Sequence, residues 1–279
     1  MMDGSRWRAI GVSLCGSSHV KTGQPCQDYH AFVRLPGGAL IAALADGAGS
    51  AELSQVGAEV AVKMALETLS WHLEKEPMAK AGAEAWRSLL GAAMQGALSA
   101  VQREAARRGL PERELACTLS VVVAFPEMVT AAQDGKGNME NGKAVAFPGM
   151  VAAAQVGDGS VVAADGQGKI LSLLRPIAGE YLNETTFLIS PGALDELQFA
   201  WHGEGVARLA MLTDGLQMLA LKVADGEPHA PFFEPLFRFI GMAEDEGKGQ
   251  ADLAAFLGSD RVQARTDDDL TLLLAAVVE

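Results

Sequence analysis

Five times along the chain an apolar, strand-like run ends in or starts from an aspartate, usually beside glycine: Gln27-Asp28, "LADGAG" around Asp46, "VGDG" around Asp158, "LTDG" around Asp214, and "TDDDLT" with Asp267, Asp268 and Asp269. One Asp-Gly is ordinarily a turn, because aspartate bonds its own backbone and glycine accepts positive φ. Asp165, in "AADGQGK" between two strand-like runs, reads as such a hairpin turn. Five together constrain more. Buried strands converge on shared sheet edges, so carboxylates at their ends converge too, and uncompensated charges at low dielectric repel by several kcal/mol.

Hard divalent cations relieve that repulsion. Oxygen-only ligands favour Mg²⁺ or Mn²⁺ over Zn²⁺, and glycine after the aspartate lets a backbone carbonyl approach the ion. A phosphate-cradling loop is the competing reading of "DGAGSA", but the stretch lacks the Gly-Lys-Ser/Thr of a P-loop, does not fit GxGxxG, and carries an acid that repels phosphate unless a cation intervenes. Two ions together can activate a water and polarise a phosphoryl oxygen for in-line displacement.

The rest of the chain suits such a protein. Hydrophobic content of 49% and charged content of 20% give 279 residues a well-cored globular composition. A net charge of −13 argues against nucleic acid or an anionic membrane as partner, because no basic surplus displaces counterions. Cys15, Cys26 and Cys117 lack CxxC spacing, which indicates neither a disulfide framework nor a thiolate zinc site and points to a reducing, cytoplasmic setting. The N-terminus has no apolar leader, and an apolar run as long as any, Leu272 to Val278, falls far short of the roughly 20 residues that span a bilayer.

Patterning predicts strands at "RAIGVSLCG" and "ALIAALAD", separated by a loop of turn formers. A helix follows from Leu53 to about Leu73, with Leu53, Val56, Val60 and Met64 as its apolar stripe and Ser50 or Ser54 as N-cap. A second helix carries Trp86, Leu89, Leu90, Ala93, Leu98 and Val101 and stops at Gly109 and Pro111, so the two form an antiparallel pair. Strands are expected at "CTLSVVVAF", "MVAAAQVGD", "GSVVAAD", "GKILSLL", "TTFLIS" and "VARLAMLTD", helices near Phe232–Ile240 and Ala251–Leu257, and a last strand at "DDDLTLLLAAVV". Strands, helices, then mostly strands is an α+β order. "VAFPEMVTAAQDG" from Val123 recurs as "VAFPGMVAAAQVG" from Val145, an offset of 22 residues that reads as a tandem duplication inserted at a hairpin tip around 126–148 of one domain spanning 1–279.

The ordered motifs "GSSHVKTGQPCQDYHAF", "ALADGAGSAELSQVGAEVA", "CTLSVVV", "AQVGDGSVV", "LTDGLQ" and "RTDDDLTLLLA" resemble those of the metal-dependent protein Ser/Thr phosphatases of the 2C class, or PPM-type phosphatases, in their compact bacterial branch. The resemblance implies a four-layer αββα sandwich, two antiparallel sheets flanked by helix pairs, with a binuclear Mg²⁺/Mn²⁺ centre at one end. It implies that Asp46 bridges both ions, that the Gly47 carbonyl binds one, and that Asp214 and Asp268 hold the other, with Asp267 and Asp269 as fallbacks for Asp268. Asp28 would support the centre through metal-bound water, and Asp158 would serve a third ion. That ion is disfavoured by Met218, which stands where many members carry an acid. Gly23 and Ala48 occupy the places of the family's phosphate-binding Arg and general-acid His, leaving Lys21 to supply positive charge and His19 to supply a proton. Gln27 stands where the family often has Glu.

The expected activity is hydrolysis of phosphoserine or phosphothreonine in a protein substrate, one phosphorylated by a cognate Ser/Thr kinase, through direct attack by a metal-activated water. Two rivals stand beside it. A catalytically weak binding or regulatory module with the same sandwich would suit the missing Arg and His, and a two-metal phosphodiesterase would need the basic groove that this chain lacks.

Overall fold

Strands that are apolar along both faces need cover on both, and two sheets between two helix layers supply it. The computed structural model describes residues 6–76, 78–126, 128–133, 139–147, 149–176, 185–203 and 205–278. The chain runs β1 (Arg6–Leu14), α1 (Ser17–Thr22), β2 (Tyr29–Arg34), β3 (Leu40–Ala45), α2 (Ser54–Lys75), α3 (Ala83–Arg108) and β4 (Leu119–Phe125). It continues with β5 (Met128–Gln133), β6 (Met139–Phe147), β7 (Met150–Val156), β8 (Ser160–Asp165), β9 (Ile170–Leu174), β10 (Gln198–His202) and β11 (Val206–Leu212). The last elements are α4 (Gln217–Ala220), α5 (Ala230–Met242), α6 (Glu246–Leu257), α7 (Asp260–Gln263) and β12 (Leu270–Val278).

One sheet has the order β1-β12-β11-β8-β9 and the other β10-β7-β4-β3-β2, with every pairing antiparallel. Period-2 alternation divides each strand between two cores. Along β12, Leu273 and Ala275 meet Trp7, Leu40, Leu44 and Met211 between the sheets, while Leu272 and Leu274 pack under Phe233, Phe237 and Leu253 of α5 and α6. Along β3, Ile41 and Ala43 pack instead beneath Leu69, Trp86 and Leu90 of α2 and α3. The architecture is the expected αββα sandwich.

Antiparallel register also fixes where the aspartates go. Ala45 at the end of β3 faces Tyr29 at the start of β2, and Leu119 at the start of β4 faces Val156 at the end of β7. In the other sheet, Leu212 at the end of β11 faces Ser160 of β8 and Leu272 of β12. Residues 28, 46, 158, 214 and 267–269 therefore leave the strands at one end of the sandwich.

Several expectations need correction. "TTFLIS" is not a strand: the Leu188 amide donates to the Cys117 carbonyl at 2.8 Å, and the chain then turns, with the Ser190 amide donating to Phe187 at 2.9 Å. β2, β10 and α1 were not anticipated, because the first two are half-exposed edge strands and the third is a single short helix of six residues. The buried face of α2 centres on Gly57, Ala58, Ala61, Val62, Ala65, Leu66, Leu69 and Leu73, because close packing selects small side chains, and Leu53, Val56 and Val60 of the expected stripe pack half-buried at its edge. Its N-cap is Leu53, without a side-chain bond; the start is held by the Leu53 amide donating to the Glu114 carbonyl at 2.9 Å and the Glu52 amide to the Glu114 carboxylate at 3.1 Å.

Between β4 and β7, β5 and β6 pair with one another. Phe125, Ala124 and Val123 face Met150, Val151 and Ala152, and the residues 22 positions away repeat the register, Phe147, Ala146 and Val145 facing Met128, Val129 and Thr130. Residues 127, 134–138 and 148 of the expected insertion lie outside the described residues.

A Cβ on Gly57 would stand 2.0 Å from the Leu115 carbonyl oxygen, whereas one on Gly91, within α3, would meet nothing within 4 Å. Gly57→Ala is expected to destabilise by about 1–3 kcal/mol through overpacking, and Gly91→Ala to stabilise by about 0.5–1 kcal/mol through helix propensity. Urea denaturation of the two variants checks the opposite signs.

Candidate metal centre

Asp46 leaves β3 with its backbone locked: its amide donates to Thr118 Oγ1 at 2.9 Å, and the Thr118 amide donates back to the Asp46 carbonyl at 2.8 Å. The Ala48 amide then donates to Ala116 at 2.9 Å, so Gly47 faces Cys117 as a pair whose flanking residues make the bonds. That pattern leaves the Gly47 carbonyl outside the ladder. Glycine is required there, since a Cβ would lie 2.8 Å from both the Gln27 carbonyl oxygen and the Ser54 side chain.

The carboxylates of Asp46, Asp158 and Asp214 each place an oxygen within 4.8 Å of the others. Burial, then the charges of Asp28 and Asp214, push the Asp46 carboxyl well above the usual range. Burial, then the neighbouring Asp158, push Asp214 up to about 6, with Asp268 adding to the effect. Burial is also the first cause for Asp28, pushed up to about 8 against the hydrogen bonds of Thr271 and Thr213. The Thr213 hydroxyl donates to Asp28 Oδ2 at 2.8 Å, leaving Oδ1 buried without a partner. Asp158 repeats the pattern: Thr185 donates to Oδ2 at 2.6 Å, and Oδ1 is buried and unpartnered.

Buried carboxylate oxygens without a hydrogen-bond donor, in and beside a cluster of neighbouring acids, are a mismatch that a hard cation corrects. The residues present therefore fit Mg²⁺ or Mn²⁺.

The three-aspartate run splits its roles. Asp268 is exposed and within electrostatic reach of Asp214. Asp269, only 3% exposed, receives the Gly16 amide on Oδ1 and the Gln27 amide on Oδ2, each at 2.6 Å. The Ser18 amide adds a bond to the Asp267 carbonyl at 2.9 Å. Asp269 thus ties the loop before β12 to both ends of the segment that delivers Asp28. Gly16 and Gly215 permit the approach, because a Cβ on either would lie 2.3 Å from the Asp268 carbonyl carbon or 2.0 Å from the Asp269 oxygen.

The expected proton donor and phosphate-binding cation both lie on α1. His19 is 9% exposed with Nδ1 3.0 Å from Asp269 Oδ1, and Lys21 is exposed on the same short helix. Gly23 ends α1 in the left-handed region at φ 73°, and Ala48 is buried against Ala51 and Ala116. Met218 is 69% exposed. Gln217, absent from the sequence expectations, donates to the Asp158 carbonyl at 2.7 Å and holds that loop against α4. Thr118, Thr185, Thr213 and Thr271 were likewise unforeseen, since each is identified by a partner far away in sequence.

Two sheets packed face to face between helix layers, with carboxylates crowded at one end, mark the class as one whose site suits divalent cations. A sequence profile described as "Protein phosphatase 2C" matches residues 15–258, and the chain belongs to that family of phosphoprotein phosphatases. It is 34% identical over 285 residues to Serine/threonine-protein phosphatase 3 of Escherichia coli (strain K12), covering 98% of this chain and 99% of that one. Among solved structures, the serine/threonine phosphatase of S. agalactiae superposes with a TM-score of 0.59 at 14% identity, covering 98% of this chain and 100% of that one. Serine/threonine phosphatase Stp1 from Staphylococcus aureus gives 0.56 at 15% identity, covering 100% and 98%. At these identities the structures support the fold alone. Among the described residues no helix is long and apolar enough to cross a membrane.

If mutual repulsion dominates the empty centre, Asp46→Asn should raise the melting temperature of chelator-treated protein, by about 2 °C or more for each kcal/mol relieved. It should also shrink the further rise that Mn²⁺ gives the wild type. Differential scanning calorimetry with and without Mn²⁺ reads both effects.

Proposed function

We propose that the protein hydrolyses phosphoserine and phosphothreonine in a protein substrate, the product of a cognate Ser/Thr kinase. The observation that carries the reading is the cluster of Asp46, Asp158 and Asp214 with orphaned carboxylate oxygens beside it. Asp46, the Gly47 carbonyl, Asp214 and Asp268 would hold two Mg²⁺ or Mn²⁺ ions, with Asp28 supporting them and Asp158 available to a further ion. When bound, the ions would supply an activated nucleophile and neutralise charge on the phosphoryl oxygens.

The chain's own residues set the geometry for that chemistry. The Thr118 pair fixes the backbone of Asp46, the Thr213 hydroxyl orients Asp28, and Gln217 anchors the Asp158 loop. Preorganised acids cost no rearrangement during reaction. Lys21, solvated on α1, is the candidate to meet the incoming phosphate, and we take His19 as the partner of Asp269 in preference to a proton donor, since it is buried against that carboxylate. The name of the E. coli relative supports specificity for serine and threonine.

Wild-type protein should release phosphate from phosphoserine and phosphothreonine peptides, only with Mn²⁺ or Mg²⁺ present, and far more slowly from phosphotyrosine peptides. Asp46→Asn should lower kcat by roughly 100-fold or more with the fold retained. Phosphate release assays with circular dichroism check this, and wild-type turnover by the variant would refute the role of Asp46.

A further inference from the structure

A second cluster lies next to the carboxylate centre and differs from it in chemistry. Cys15 follows the end of β1, His19 lies on α1 and Asp269 precedes β12. The Cys15 sulfur, a ring nitrogen of His19 and a carboxylate oxygen of Asp269 all lie within 4.8 Å of one another. Donors around a tetrahedral zinc ion stand about 3.3–3.6 Å apart, given Zn–S near 2.3 Å and Zn–N or Zn–O near 2.0–2.2 Å.

Two further observations point to a ligand. The His19 side chain is 11% exposed, and its Nδ1, though 3.0 Å from Asp269 Oδ1, makes no hydrogen bond. A buried imidazole nitrogen left in that condition is costly unless something binds it. Asp269, for its part, is already oriented by the Gly16 and Gln27 amides, the arrangement in which ligating carboxylates are held by outer hydrogen bonds. Cys15 is half-buried, which leaves the cluster open to solution.

We propose that Cys15, His19 and Asp269 form a zinc site distinct from the oxygen-ligated phosphatase centre. One thiolate, one imidazole and one carboxylate suit a borderline-soft ion and not Mg²⁺ or Mn²⁺. Three protein ligands leave a fourth position for water. On binding, the Cys15 S–H proton passes to solvent, the thiolate, the neutral imidazole and the carboxylate each donate a lone pair, and nothing is oxidised or reduced. The ion would tie the end of β1 and α1 to the loop that carries Asp268. The expectation of no thiolate zinc site rested on cysteine spacing alone, and a Cys-x₃-His spacing completed by a distant aspartate escapes that test.

Cobalt separates this site from the phosphatase centre, because only a thiolate ligand gives intense near-ultraviolet charge transfer. Reduced, chelator-treated full-length protein would be titrated with Co²⁺ in excess Mg²⁺. The band should saturate at one equivalent, vanish on adding Zn²⁺, disappear in Cys15→Ser, weaken in His19→Ala and persist in Cys26→Ser. No band in the wild type, a band that survives Cys15→Ser, or one lost only in Cys26→Ser would overturn the proposal. Iodoacetamide labelling of the wild type, mapped by mass spectrometry, tests it without a variant: Zn²⁺ should protect Cys15, and equal labelling with and without Zn²⁺ would contradict it. Neither readout depends on phosphatase activity.

Discussion

Carboxylates brought together at the ends of buried strands repel one another, and the architecture makes that juxtaposition unavoidable. Antiparallel pairing delivers the end of β3, the start of β2 and the end of β7 to one edge, while the end of β11 and the start of β12 arrive from the facing sheet. Helix layers on both outer faces keep the strands buried, so the acids meet at low effective dielectric. Burial first, and the neighbouring carboxylates second, raise the carboxyls of Asp28, Asp46 and Asp214. A fold that gathers five acidic loops at one end holds an intrinsic demand for cations.

Repelling loops need restraint, and the polar network around them supplies it. Asp269 spends both oxygens on the amides of Gly16 and Gln27, closing the loop before β12 onto the segment that carries Asp28. Thr213 links the two sheets' acids, donating to Asp28 while accepting the Thr271 amide at 3.1 Å. Glycines at 16, 47 and 215 are part of the same device, because a methyl group at any of them would collide with the backbone of a neighbouring loop. Position 269 thus fixes the geometry of the loop, while Asp268, one residue earlier, stays exposed.

Much of this was legible in the sequence, for identifiable reasons. β3, β4, β7, β8, β11 and β12 read as strands because both of their faces are covered, which produces uninterrupted apolar runs. β2 and β10 escaped because edge strands carry polar and half-exposed residues such as His30 and His202. Only the edge of the buried face of α2 was legible, because alanine and glycine, which fill much of its centre, carry little hydrophobic signal. Asp46, Asp158 and Asp214 stood out through their position at strand ends beside glycine. Asp269, Gln217 and the threonines did not, since their partners lie 27 to 253 residues away or on an unforeseen turn of helix.

On the proposed reading, the strand-end aspartates hold divalent cations where a phosphoryl group is hydrolysed. Anomalous diffraction from crystals soaked in Mn²⁺, collected at the manganese edge, tests it most directly. Strong peaks are expected enclosed by Asp46, Asp214 and Asp268, with the Gly47 carbonyl in the coordination shell. Crystals that diffract well yet show no manganese among these residues, or show it only elsewhere on the surface, would contradict it.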